Sequence, residues 1–244
     1  MSLSPIDALP LFFAMLLLIE LGRRLHARSP HQKSNSAIEG AIFGLFGLLL
    51  AFTFSGAIAR YDTHRKLVIE EVNDIGTAYL RLDLLPRELQ PEFRDKFRDY
   101  VTSRLDRFDS PTNMPVSEET VRLQKIIWAK AIAATTTSDG HSEGGRLLLP
   151  ALNQMFEITI TRKNAFDMHP PLIVYLLLFA LSCGCALFAG YNMTDPHRNL
   201  LHIIAFAAVF SLTIYATLEI EYPRKGLIRL SNTDQAFIDL RNSM

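Results

Sequence analysis

The feature that most constrains this chain is the distribution of its charges. Although the 244 residues contain 25 acidic and 25 basic side chains, three long segments have no Asp, Glu, Lys or Arg. They are the 20 residues of 40–59, the 22 of 170–191 and the 18 of 201–218. A helix of roughly 20 apolar residues crosses a hydrocarbon core about 30 Å thick. The sequence therefore predicts an integral membrane protein and disfavours a soluble protein with unusually apolar helices.

A fourth apolar segment lies near the amino terminus and is shorter. The run Ala8–Ile19 has only twelve residues, and a secretory signal peptide is the rival interpretation. A signal peptide has positive charge before its apolar run and a small-residue cleavage site after it. Here Asp7 precedes the run and Arg23-Arg24 follow it, so we expect a retained helix at about 6–22.

These segments predict an all-α fold with four transmembrane helices in two hairpins, because short connections favour antiparallel neighbours. The expected divisions are a first hairpin in 1–59 (helices at about 6–22 and 39–59), a polar helical domain in 60–169 continuous with helix 2, a second hairpin in 170–222 (helices at about 170–191 and 200–220) and a C-terminal tail in 223–244. Positive charges near the helix ends are almost balanced, so they leave open which side the polar domain faces.

The polar domain is expected to consist of helices. The extension of helix 2 has an apolar seam with the 4-3-4-3 spacing of coiled coils, made of Val68, Val72, Ile75, Tyr79 and Leu82. The next helix has one apolar face, made of Leu89, Phe93, Phe97, Tyr100, Val101, Leu105 and Phe108. A third begins at the predicted N-cap Ser117 and carries Val121, Trp128 and Ile132. A fourth spans about 146–166, and breaks are predicted at 110–115 and 139–145.

The most informative pattern lies in helix 2. Small residues recur every three or four positions on one face: Gly40, Gly44, Gly47, Ala51, Ser55 and Ala59. Such a face lets helix backbones approach closely, inside the hairpin or between subunits. Alternatively this face, or the Leu48–Phe52 face beside it, lines a pore in which small residues leave room for ions and Leu and Phe gate by dewetting. One helix cannot surround a pore, so the second hypothesis requires an oligomer.

Acidic residues form a second set of candidates. Glu20, Glu219 and Glu221 are predicted at the membrane interface, the last two paired with nearby cations, and the alternative is a ring of acids or a proton relay. Residues predicted to serve oligomer or domain packing lie on the extension of helix 2: Glu70, Glu71, Asn73, Asp74 and Gly76. A glycine in a helix costs about 1 kcal/mol relative to alanine, which suggests that another helix passes close to Gly76.

The sequence shows no sign of catalysis. It has no Gly-rich phosphate loop, G-x-S-x-G or H-E-x-x-H motif. Cys183 and Cys185 point apart on one helix, and two thiols alone make no metal site. Zero net charge disfavours nucleic acid as a partner. We therefore expect that the protein is not an enzyme and that it binds no cofactor, metal or nucleic acid. The expected partner is membrane lipid.

Several blocks of the sequence resemble the bacterial bestrophin-like family of four-helix membrane proteins. They are Glu20–Arg24, Phe54–Ala57, Arg60–Asp62, Glu70–Leu82 and Leu218–Arg229, of which Glu70–Leu82 is the strongest. The resemblance implies kinship with bestrophins, which are pentameric anion channels with a pore lined mainly by the second transmembrane helix. It implies a homo-oligomer, expected to be a pentamer, in the bacterial inner membrane, with its polar domain in the cytoplasm. Leu48, Phe52 or Ser55 would then lie near the constriction.

Two functional hypotheses follow. The leading one is an oligomeric ion channel in which helix 2 faces the pore. The other is a non-conducting membrane scaffold or sensor whose helical domain binds a protein partner.

Overall fold

The computed structural model describes residues 8–28, 36–106, 116–136, 143–193, 200–222 and 231–244. Within these ranges the fold is helical and contains no strand, which confirms the all-α prediction for the described residues. The α-helices, in chain order, are α1 Ala8–Arg28, α2 Ser36–Leu80, α3 Gln90–Leu105, α4 Glu118–Thr136, α5 Glu143–Asp167, α6 Leu172–Tyr191, α7 Leu200–Glu221 and α8 Ser231–Ser243. A 3₁₀ turn, Arg81–Leu84, directly follows α2.

Within the residues that the structure describes, three helical stretches are long and apolar enough to cross a membrane, judged by length and composition. They are Ser36–Leu84, Gly144–Tyr191 and Leu200–Glu221, and they contain the three charge-free segments of the sequence. Helix α1 is not among them. It continues beyond its predicted end near residue 22 to Arg28, because 22–28 contain no proline to break it.

Helix α2 is a single helix of 45 residues. It continues past its apolar segment, because neither the charge-free run nor the polar stretch after it contains a proline. The helix ends in the 3₁₀ turn and then at Leu85, whose φ of −84° and ψ of 158° are extended. Pro86 enforces this conformation, since a proline disfavours helical dihedrals in the residue before it.

The chain divides into two compact units. The first unit comprises Met1–Tyr61 and His169–Arg229, and the second comprises Asp62–Met168 and Leu230–Met244. The core of the first unit consists of Met15, Ile19, Phe46, Leu178, Cys185, Ala186, Ala207 and Ile214. In this unit α1 packs against α6 and α7.

Two glycines allow α1 and α6 to approach closely. A Cβ atom at Gly190 would lie 1.9 Å from the carbonyl oxygen of Ile19, and one at Gly22 would lie 2.1 Å from that of Leu187. Any side chain at either position would force the two backbones apart. The small-residue contact inside the first unit is therefore made by α1 and α6.

The second unit is built around the predicted seam. Val68, Ile75, Tyr79 and Leu82 are buried, and Val72 packs against them. The core is completed by residues of α3, α4, α5 and α8: Phe93, Phe97, Tyr100, Val101, Leu123, Ile127, Ala131, Ala134, Leu148, Ala151, Leu152, Met155 and Phe237. The predicted apolar face of α3 is thus confirmed for its described members, and Phe108 lies outside the described residues.

Helix α4 begins as predicted, and the three apolar residues noted on it in the sequence stay partly exposed. The backbone N–H of Thr120 donates a 3.0 Å hydrogen bond to Ser117 Oγ, which confirms the N-cap. Val121, Trp128 and Ile132 remain 40%, 36% and 39% exposed. The buried side of α4 is the one with Leu123, Ile127 and small alanines, which let the helix lie close to α3 and α5.

Helix α5 begins before the expected residue 146, so Gly144 and Gly145 are helical and the predicted break at 139–145 is wrong there. A Cβ atom at Gly144 would lie 2.6 Å from the carbonyl oxygen of Leu84, so this glycine permits close packing. Residues 107–115 and 137–142, which contain the other predicted breaks, lie outside the described residues. The stretch expected as a C-terminal tail contains α8, which packs against α3 through buried Phe237.

Candidate functional site

The predicted small-residue face of α2 is exposed along its whole length. Gly40, Gly44, Gly47, Ala51, Ser55 and Ala59 are all exposed. Cβ atoms built at Gly40, Gly44 and Gly47 would have nothing within 4 Å. Beside this face, Leu48 is 53% and Phe52 67% exposed. In the described residues, no helix of the same chain packs against these three glycines.

The opposite side of α2 is the one that packs in the first unit. Phe46, Thr53 and Ala57 are buried. The ring of Phe46 stacks on that of Phe210 in α7, with 4.8 Å between centroids. The Thr53 hydroxyl is satisfied within α2, where it lies 3.0 Å from the Leu49 carbonyl oxygen and 2.9 Å from that of Leu50. An alcohol in this apolar surface therefore needs no partner from another helix.

Helix α2 is also the least buried of the membrane-type helices. In an apolar segment of 18 residues within its stretch, 11% of the residues are buried inside the chain. The corresponding shares are 22% and 28% for the stretches that contain α6 and α7. Most of the apolar surface of α2 is thus left for lipid, for water or for other copies of the chain.

At the end of its apolar segment, α2 joins a polar cluster centred on a buried carboxylate. The guanidinium of Arg60 donates to both carboxylate oxygens of Glu221, through Nε at 2.8 and 2.9 Å and through Nη2 at 2.7 Å. Nδ1 of His169 lies 3.2 Å from Oε1 of the same carboxylate, and the His169 ring lies 4.6 Å from that of Tyr222. Glu221 is only 4% exposed, so its charge is balanced by Arg60 in a poorly solvated place.

The other predicted interface acids differ in their surroundings. Glu219 is buried within α7 at 2% exposure. Glu20 accepts hydrogen bonds from Arg23 at 2.8 and 3.0 Å and from Arg24 at 3.0 Å, all within α1. The cations predicted to pair with the α7 acids, Arg224 and Lys225, lie outside the described residues.

The second unit contains a buried charged cluster centred on Glu71 of α2. Its carboxylate accepts hydrogen bonds from Arg104 of α3 at 2.6 and 3.1 Å, and Arg162 of α5 also donates to it. Glu71 is fully buried and Arg104 is 3% exposed. Burial alone would raise the pKa of Glu71, but the charges and hydrogen bonds of Arg104 and Arg162 hold this pKa below its ordinary value.

The five residues predicted for packing on this part of α2 therefore separate into two groups. Glu71 joins α2 to α3 and α5, and a Cβ at Gly76 would lie 3.6 Å from a methyl group of Leu240 in α8. Glu70 and Asn73 are exposed, and Asp74 is half-buried. Burial, together with the negative charges of Glu70 and Glu71, raises the pKa of Asp74, so this acid has unfavourable surroundings within the chain.

Sequence reasoning did not identify Arg60, His169, Arg104 or Arg162 as members of these clusters. Arg60 and Glu221 are separated by 161 positions, and no short-range pattern links them. The one available signal was that Arg60 is the first charge after a long charge-free run. In the part of the chain that the structure describes, no group of three His, Cys, Asp or Glu side chains is arranged to hold a metal ion.

Comparison with known proteins supports the family resemblance. A family model described as Bestrophin-like domain matches residues 8–235. The fold is similar to crystal structures of a bacterial bestrophin homologue from Klebsiella pneumoniae. For one variant the TM-score is 0.74 at 12% identity, covering 97% of each chain; for another it is 0.73 at 14% identity, covering 96% of this chain and 98% of that one. No curated protein matches the sequence.

Proposed function

This chain belongs to the Bestrophin-like domain family and is a multi-pass membrane protein, and on that premise we propose that it is a homo-oligomeric ion channel whose pore is lined by the exposed face of α2. The observation that carries the proposal is the exposure of Gly40, Gly44 and Gly47, whose built Cβ atoms would meet nothing within 4 Å. A membrane helix with such a face is suited to surround a pathway together with other copies. Five copies is the number that the family kinship implies.

The proposal includes four membrane spans, formed by α1, the apolar part of α2, α6 and α7, in the bacterial inner membrane. Helix α1 supports this because it buries Met15 and Ile19 against its neighbours while Phe13 and Leu17 are 56% and 71% exposed. Exposed apolar side chains on a helix with a buried opposite side are suited to contact lipid. The second unit is then an extramembrane helical domain.

We place the constriction at Leu48 and Phe52. These residues are one helical turn apart, so they share a face, and they are 53% and 67% exposed. Repeated in each subunit around an axis, they would form two adjacent apolar rings, which gate ion flow by excluding water. Ser55, one turn further, would provide a small polar lining beyond the rings.

The test is ion flux through the purified protein in liposomes. Phe52→Ala is expected to increase flux because it widens the apolar ring, and Ser55→Trp is expected to block it. Phe54→Ala is the matched control, because this phenylalanine is also exposed (36%) but projects about 160° away from Phe52 around the helix. Absence of flux from wild type and Phe52→Ala under varied salt, pH and voltage would refute the channel.

A second candidate function is a membrane scaffold or sensor, which the surface of α4 favours. Val121, Trp128 and Ile132 lie on one face of this helix and remain between 36% and 40% exposed. An apolar stripe with a central tryptophan is typical of protein interfaces. This candidate predicts no flux, and an association with a specific protein that Trp128→Ala abolishes.

A further inference from the structure

The packed side of α2 carries a charged pair in the first unit, between Arg60 and Glu221, and near the start of the helix Asn192 donates a hydrogen bond to Glu39. Arg60 Nε and Nη2 lie 2.7 to 2.9 Å from the Glu221 oxygens, and the Glu221 side chain is 2% exposed. Such charge-assisted, bidentate hydrogen bonds restrict the relative orientation of the two side chains more narrowly than apolar contacts do. Separating the two groups would leave a carboxylate buried without its main cation, which is strongly unfavourable.

Gly56 allows the arginine to take this position. A Cβ atom at Gly56 would lie 3.3 Å from Arg60 Nη1 and 3.4 Å from Nη2. The guanidinium therefore folds back along its own helix, over the preceding turn, before it reaches Glu221. A larger side chain at position 56 would displace the guanidinium without changing any charge.

The direction of this contact relates it to the exposed face. At about 100° per residue, Arg60 projects about 180° away from Ala51 and about 140° away from Ser55. The contact thus holds the back of α2 while the small-residue face points away from it. A rotation of α2 by one residue position, about 100°, would carry Arg60 away from Glu221 and replace the outward-facing residues with others.

We propose that the Arg60–Glu221 pair is the positioning contact that sets the rotation of α2 about its axis, and so determines which residues face the pathway. This inference rests on the proposed pore lining. Arg60 and Glu221 act through the orientation of α2 and need not touch the permeating ion. His169, the other neighbour of the carboxylate, precedes α6 and is not part of α2.

The test is a nitroxide scan of positions 51–58, one cysteine at a time, in full-length protein whose native Cys183 and Cys185 are replaced by alanine. The frequency with which each nitroxide collides with oxygen or with a nickel complex rises and falls with residue position along a helix. The phase of this oscillation gives the direction in which the helix is exposed. A face that meets water is reached by both reagents and a face that meets lipid is reached by oxygen, so the phase of the oxygen collisions does not depend on conduction. In wild type we expect maxima near Ala51 and Ser55 and a minimum at Ala57, which is fully buried.

Arg60→Ala is expected to shift this phase by tens of degrees, up to the roughly 100° of one residue, or to abolish the oscillation. The charge-exchanged double variant Arg60→Glu with Glu221→Arg is expected to restore it. Gly56→Leu keeps every charge and should shift the phase in the same direction as Arg60→Ala. It provides the test if Arg60→Ala does not fold. The matched control is His169→Gln, which changes a contact of the same carboxylate outside α2 and should leave the phase unaltered.

The possible results separate the two proposals. An unchanged phase in both Arg60→Ala and Gly56→Leu would overturn the positioning role while leaving pore lining by α2 intact. An equal phase shift in His169→Gln would also overturn the positioning role, because the shift would then not depend on the contact made by Arg60 of α2. A phase that depends on Arg60 in a protein that carries no flux would support the positioning role and refute the channel.

Discussion

Glu71→Gln is expected to destabilise the second unit strongly, although it changes only one atom and one charge. Glu71 is fully buried and Arg104 is 3% exposed, and the side chain of Arg162 is 11% exposed. Removing the carboxylate charge from two arginines in so little water resembles the breaking of a buried ion pair, which costs about 3–5 kcal/mol. Glutamine retains the size of the side chain, so little of this loss would come from a cavity.

The assay is thermal unfolding followed by tryptophan fluorescence. Trp128 is the single tryptophan of the protein, and its ring lies 6.2 Å from that of Phe156, so its emission reports on the second unit. At roughly 2–4 °C per kcal/mol for a chain of this size, the expected loss lowers the unfolding midpoint by about 6–20 °C. The matched control is Glu70→Gln, the same change at the adjacent exposed position, for which we expect less than about 0.5 kcal/mol.

The pH dependence of this stability loss provides an independent test. The pKa of Glu71 is lower in the folded protein than its ordinary value, so its contribution to stability is complete above the ordinary value and is lost as pH falls through the folded one. The deficit of Glu71→Gln relative to wild type should therefore persist at neutral pH and shrink only in acid. Equal midpoints for Glu71→Gln and Glu70→Gln at neutral pH would refute the reasoning.

Two further predictions concern stability. Asp74→Asn should raise the unfolding midpoint at neutral pH, because the raised pKa of Asp74 means that its ionised form opposes folding. The gain should shrink as pH falls through the raised pKa and vanish below the ordinary pKa of the group; a midpoint below wild type at neutral pH would contradict this. Gly190→Ala should lower the midpoint, because its Cβ would lie 1.9 Å from the Ile19 carbonyl oxygen. Its control, Gly184→Ala, meets nothing within 4 Å and should be neutral or stabilising by up to about 1 kcal/mol; equal midpoints would contradict the close contact of α1 with α6.

The sequence was most informative where burial follows short-range periodicity in water. In the second unit, Val68, Ile75 and Leu82 are spaced as a core seam and are all buried, because apolar side chains there leave water only by facing inward. The same principle was not sufficient for α4, which has two apolar faces. Its larger residues, such as Trp128, stay partly exposed, and the side with alanines packs. Which face is buried depends on how closely α3 and α5 approach, and local sequence does not contain that distance.

Glycine patterns gave a different kind of ambiguity. The repeated glycines of α2 were the visible pattern, yet among the described residues of the first unit a close helix contact uses the isolated Gly22 and Gly190, where built Cβ atoms would lie 2.1 and 1.9 Å from backbone oxygens. An isolated glycine has no periodicity and its partner is on a helix distant in sequence. A repeated pattern of small residues therefore does not by itself identify which glycines meet a neighbouring helix of the same chain.

The contrast between the two units explains why α2 needs a polar contact in the first. A Leu or Phe that turns from a neighbouring helix toward lipid loses little, because lipid tails are as apolar as the protein interior. The charge-free segment of α2 is apolar on every side, and Leu45, Leu48 and Phe52 are all more than half exposed. Hydrophobic burial consequently specifies that α2 lies in the membrane but hardly its rotation. A charged pair such as Arg60–Glu221 discriminates between rotations, since only one brings the guanidinium to the buried carboxylate.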